Sequence, residues 1–270
     1  DRNRTSPFAF TGNKFEFRML GASSSISLTN TIINTSVAES LRLYADEIEA
    51  RLGKEALADI VHDLIKRTIE EHGRIIFNGN GYDESWIKEA TEVRGLLNLR
   101  TTPDVLPVIL EKKNTDLLVS HKVMSESEIR SRYEITLENY CKTVTIEAMT
   151  MIDMTRKLIL PAIEAYSASV AESLGAKLGV VPELSGKYEK EKLKTLSSLE
   201  DSIDSSVSAL ESSLIRLRAI DDVTDSAFVF RDVILQKMAE LRVACDEAET
   251  LTAKKYWPFP TYGDLLFGVR

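Results

Sequence analysis

The chain has 270 residues, 43% of them hydrophobic and 28% charged, with 34 basic against 42 acidic side chains and a net charge of −8. That balance excludes a disordered polyelectrolyte, and the negative field disfavours nucleic acid and anionic membranes as partners. No run approaches the ~20 apolar residues of a membrane span, and no signal peptide opens the chain.

Residues 3–10 and 14–19 are predicted to form two strands joined by the turn Thr11-Gly12-Asn13, whose Gly and Asn suit tight-turn backbone angles. In the second strand Lys14, Glu16 and Arg18 share one face, and Phe15, Phe17 and Met19 the other. After Leu20–Ser24 the pattern becomes helical. Helices are expected over about 28–52, ended by Gly53, and over 54–72, stopped by Gly73. Arg74–Phe77 reads as a short strand or extended piece, followed by the turn Asn78-Gly79-Asn80-Gly81. Asp83 can cap a helix over 84–93, and Thr102-Pro103-Asp104 opens another. Ser125 can cap a long helix from Glu126 to about Leu178, with a kink expected at Pro161. Two further helices are predicted over 187–219 and 224–252. In the first, Leu193, Leu196, Leu199, Ile203, Val207, Leu210, Leu214 and Leu217 recur every three or four residues as a bundle seam. The aromatic, proline-bearing tail 256–267 is expected to dock as a strap in an apolar groove.

Cys141 and Cys245 have no CxxC partners and read as buried thiols of a reducing cytoplasm. His62, His72 and His121 have no ligand spacing and read as helix-surface groups, with His121 alone near a loop. Met149, Met151 and Met154 read as core filler, and the acidic-serine run 200–206 as a solvated face. The absence of an initiator Met suggests the C-terminal part of something longer.

The opening hairpin carries the chemical signal. Residues 1–18 hold Arg2, Arg4, Lys14 and Arg18 against Asp1 and Glu16, a net +2 in an acidic chain. Such a cluster suits a phosphate or carboxylate, which arginine grips with two hydrogen bonds, and Glu16 could complete a Mg²⁺ shell beside phosphate oxygens. Alternating charge on the wet face of an ordinary strand explains the same spacing. The residues alone leave both readings open.

Asn3-Arg4-Thr5-Ser6 resembles the Asn-Arg-Ser motif of glutamine synthetases, and Lys14-Phe15-Glu16-Phe17-Arg18 resembles their basic-x-Glu-x-Arg strand at a similar separation. The departures are Phe8-Ala9-Phe10 and Met19-Leu20-Gly21, where typical bacterial enzymes carry Arg-x-Pro and Phe-Pro-Asp-Pro. Together with Arg74–Tyr82 and the Tyr-Trp-Pro-Phe-Pro-Thr-Tyr tail, these features resemble the large type III enzymes. The resemblance implies a mainly α fold. A long-helix bundle over 25–270 follows a β-hairpin, 1–24, from the end of a catalytic β-barrel domain. It implies a homo-oligomeric, cytoplasmic ligase of nitrogen metabolism that joins ammonium to glutamate with ATP and Mg²⁺ or Mn²⁺. By that resemblance Arg4 contacts ATP phosphates and the transferring phosphoryl group, Lys14 lies by the nucleotide, Glu16 binds a metal and Arg18 holds substrate glutamate. Other metal-binding glutamates and the ammonium-site acid are missing from this stretch, so the chain alone is expected to be inactive. The alternative is a non-catalytic helical scaffold or oligomerisation module.

Overall fold

A computed structural model describes residues 25–77, 80–81 and 83–268. The predicted hairpin lies outside them. Within them the protein is helical, with no strand, and the contacts divide it into two units at Tyr133/Glu134.

In the first unit, α1 (Ser27–Arg51) ends before Gly53, whose φ of +91° is the left-handed geometry expected of a glycine past a helix end. The next helix, α2 (Leu57–His72), begins three residues later than expected. Gly73 does not terminate it with a left-handed residue; φ is −55°, and the chain tightens into a 3₁₀ turn over Gly73–Ile75. Of the short strand or extended piece expected at 74–77, Ile76 is extended but no strand forms: among the described residues there is no second strand to pair with, and the Arg74 and Ile76 carbonyls accept from Arg94 instead.

Polar pairs tie α1 to α2. Tyr44 and Thr68 hydroxyls lie 3.0 Å apart, Arg67 meets Glu47 at 2.6 Å, and Arg51 meets Asp63 at 2.9 Å. Beneath them Ile60 and Leu64 are buried.

Asp83 caps α3 (Glu84–Lys88), its Oδ1 accepting from the Ser85 N–H at 2.9 Å. The expected helix continues to Val93 as a π-turn. Pro103 sits in the first turn of α4 (Thr102–Val105), which runs into a 3₁₀ turn to Leu110. Helix α5 (Lys112–Ser120) occupies a stretch with no clear apolar period; Leu118 is its buried residue.

The division between units falls within α6 (Glu126–Met154). A capping box starts this helix: Glu128 N–H donates to Ser125 Oγ at 3.3 Å, and Ser125 N–H donates to Glu128 Oε2 at 2.8 Å. The predicted continuous helix is interrupted by a π-turn, Thr155–Ile159, before α7 (Leu160–Val180). This wider turn lies immediately before Pro161, which has no N–H to give the helical ladder.

In the second unit, α7 and α10 (Leu235–Leu251) pack against α8 (Lys187–Leu217). The predicted seam forms the core: Leu196, Leu199, Ile203, Val207, Leu210 and Leu217 are buried beside Ile163, Ile234 and Leu241. Asp222 caps α9 (Val223–Val229) by accepting from Thr224 and Asp225 N–H groups. A third π-turn, Phe230–Ile234, joins α9 to α10 and turns Phe230 and Ile234 into the core.

In the tail, Trp257 and Phe259 pack against that core. After Pro260 the chain forms a short capped helix, α11 (Tyr262–Phe267), which leaves Leu265, Leu266 and Phe267 exposed. Among the described residues no helix is long and apolar enough to cross a membrane.

Candidate functional site

Arg4, Lys14, Glu16 and Arg18 all lie outside the described residues. Among the described residues no group of three or more His, Cys, Asp or Glu side chains could hold a metal ion. A metal site that includes Glu16 would therefore need ligands from elsewhere.

Two described arrangements have chemical character. The first is around Arg94. Its guanidinium donates to Ile76 O at 2.8 Å and Arg74 O at 3.2 Å, and grips Glu89 Oε1 through Nε and Nη2 at 2.8 and 2.6 Å. It also lies 4.9 Å from the Trp86 ring centroid, and Trp86 stacks on Phe77 at 3.7 Å. This pins the segment Arg74–Phe77. The sequence pattern gives Arg94 no role. Two of its partners are backbone carbonyls about twenty residues away, which leave no side-chain pattern to read.

The second is a cleft of about 460 Å³ in the second unit. Residues Ile146–Thr155 of α6 and its π-turn form one wall, and Arg242, Cys245, Asp246 and Glu249 of α10 the other. Trp257 and Phe259 also line it. The Trp257 indole N–H is buried with no hydrogen-bond partner among the described residues. Met151 packs against the core, but Met149 is 56% and Met154 37% exposed, so these two are not core filler. Helical spacing cannot tell a methionine over the core from one at a groove edge.

The thiols are unpaired; Cys245 is buried and Cys141 half-buried, and burial pushes both up from the ordinary thiol range. In the acidic run Glu200 is half-buried rather than solvated. Burial first, then the neighbouring Glu164 and Asp201 carboxylates, push it up from the usual carboxylate range. His121 is not alone, as taken up below.

Comparison with known proteins adds what the described geometry does not. A family model for the glutamine synthetase C-terminal domain matches residues 60–177. A type-3 glutamine synthetase of Dictyostelium discoideum is 35% identical over 271 aligned residues, covering 99% of this chain and 37% of the relative. A glutamine synthetase of Butyrivibrio fibrisolvens is 36% identical over all of this chain and 38% of the relative. One of Bacteroides fragilis is 29% identical, again over 99% and 37%. The chain thus spans well under half the length of these relatives. Residues 60–177 thus match a glutamine synthetase C-terminal domain, and nearly the whole chain is similar to part of a type-3 glutamine synthetase.

Proposed function

We propose that this chain is the C-terminal part of an ATP-dependent glutamate–ammonia ligase. The observation that carries the reading is similarity to the Dictyostelium type-3 enzyme over 99% of the chain, a span that includes the opening motifs. In this reading Arg4 and Lys14 bind ATP phosphate and nucleotide, Arg4 also neutralises the transferring phosphoryl group, and Arg18 holds the glutamate. Glutamate's side-chain carboxylate attacks the γ-phosphorus, ADP leaves, and ammonia then displaces phosphate from the acyl phosphate to give glutamine. Both steps build negative charge, which fixed guanidinium groups lower in energy without reorganising. A divalent cation, Mg²⁺ or Mn²⁺, would screen phosphate oxygens, with Glu16 as one ligand.

The parent is read as a cytoplasmic homo-oligomer with ring symmetry, its active sites between subunits. The isolated chain is inactive on this reading because most of the metal-binding and ammonium-binding groups lie outside it.

The test is Glu16→Ala in the full-length enzyme, assayed for glutamine formation and for bound metal. Loss of metal with loss of turnover is expected; near-normal turnover overturns the assignment. A helical scaffold remains the second reading, favoured by the absence of a metal-binding cluster among the described residues. It predicts that the full-length protein makes no glutamine at all.

A further inference from the structure

The first unit is short of core. Among the described residues its buried large apolar side chains are Ile60, Leu64, Leu118, Ile129 and Tyr133. The main hydrophobic cluster begins at Val144 and lies wholly in the second unit. Meanwhile Leu57, Ile65 and Ile69 on α2 are more than half exposed, and Val61 is 36% exposed. These four residues fall four apart, so they form one stripe, about 18 Å long by helical rise. Val37 and Leu41 on α1 are also more than half exposed. Hydrophobic stabilisation scales with the apolar area removed from water. A unit that buries so little and leaves such a stripe open needs a further surface to complete it.

The course of the chain says which surface lies within reach. The pairs Tyr44–Thr68, Glu47–Arg67 and Arg51–Asp63 run α1 and α2 antiparallel. The Ile69 end of the stripe is therefore level with Tyr44, and it is the end nearest the start of α1. The groups proposed to bind ATP, metal and glutamate end at Arg18, and α1 begins at Ser27. Residues 19–26 separate them, a reach of about 30 Å even when fully extended. The relatives carry well over half their length outside the stretch aligned to this chain. A body of that size, tethered at α1, meets the stripe at an effective concentration on the order of millimolar. A second molecule has no such advantage.

We propose that the apolar stripe of α2 is the docking face for the catalytic portion of the same polypeptide. The inference rests on the reading of this chain as the C-terminal part of a ligase, and it names the surface that fixes the helical part to the rest. Docking there braces the segment that carries Arg4, Lys14, Glu16 and Arg18.

The test is made on the full-length protein. A cysteine is placed at Ile65, in the stripe, and in a second variant at Lys66, whose side chain is 66% exposed and meets only Glu70, at 4.0 Å. Maleimide labelling is followed at each site by mass spectrometry, which keeps these positions apart from Cys141 and Cys245. Ile65→Cys is expected to label roughly tenfold or more slowly than Lys66→Cys in the native protein, and equally fast after denaturation. Equal native rates overturn the proposal. The occupant is identified with a photo-crosslinking benzoylphenylalanine in place of Ile69. The expected product keeps the mass of a single chain on a denaturing gel and is joined to a peptide that precedes Asp1 in the full-length sequence. A product of doubled mass, or a crosslink confined to residues 25–270, overturns the proposal. Neither readout uses catalysis. Full-length protein that passes both yet makes no glutamine keeps the docking face and loses the ligase reading.

Discussion

His121 Nε2 lies 2.8 Å from Glu39 Oε2, across 82 residues of sequence, and joins the end of α5 to α1. Glu39 also receives the Arg42 guanidinium through two 2.8 Å hydrogen bonds. Arg42 first and His121 second pull the Glu39 carboxyl down to about 2. Arg42 is on the same helix as Glu39, so only His121 holds two elements together.

A carboxyl held low in the folded protein contributes stability that is present above its unfolded value of 4.5 and lost as pH falls through about 2. The α5–α1 attachment is therefore expected to hold down to the mid-4 range and to loosen between there and pH 2. Hydrogen exchange at Leu117–His121, corrected for intrinsic rates, reads this directly. Glu39→Gln should raise exchange there by roughly threefold already at neutral pH, the scale of a surface ion pair. Identical exchange in wild type and variant would show that the contact does not hold α5.

Arg94 joins two carbonyls, a carboxylate and an indole face around one guanidinium, with 23% of its side chain exposed. Arg94→Ala should destabilise the 73–96 segment by about 1–3 kcal/mol, the range for losing charged hydrogen bonds to partly buried groups. Arg94→Lys should recover little, because an ammonium cannot reach the forked partners together. Trp86 is one of two tryptophans, so a Trp257→Phe background isolates its fluorescence. A red-shifted Trp86 with unchanged global unfolding is the expected signature.

Gly186 precedes α8 with φ +53° and ψ 25°. A Cβ there would sit 2.4 Å from Leu174 Cδ1 on α7. Gly186→Ala is expected to cost about 1–2 kcal/mol in urea denaturation, from left-handed strain plus displacement of that leucine. Adding Leu174→Ala should remove the overlap, so the double variant should lose less than the two singles summed. Strict additivity would refute the contact.

Much of the helical framework was legible in the sequence. The α8 seam was readable because one face of a long helix carries the core, and the caps at Asp83 and Ser125 because short side chains accept the first free N–H groups. At Arg74–Phe77 the strand alternative failed, because its apolar run matches a buried strand while no second strand exists among the described residues to pair with it; Ile76 is extended, as the other alternative had it. The π-turns at Thr155–Ile159 and Phe230–Ile234 were not legible: one extra residue in a helix leaves the apolar period almost unchanged. The proposed catalytic residues were legible only through their motif. Spacing alone fits an ordinary charged strand equally well, and Arg4, Lys14, Glu16 and Arg18 lie outside the described residues.

By itself the sequence determined the long helices, where most of them start and which residues line one face. The tertiary structure alone decided which faces are covered. Leu57, Val61, Ile65 and Ile69 on α2 repeat as regularly as Leu196, Leu199, Ile203 and Val207 on α8, yet the first set is open to solvent and the second is buried. The hydrophobic effect is non-directional: spacing gathers apolar groups on one side of a helix, but only a second surface brought against that side removes them from water.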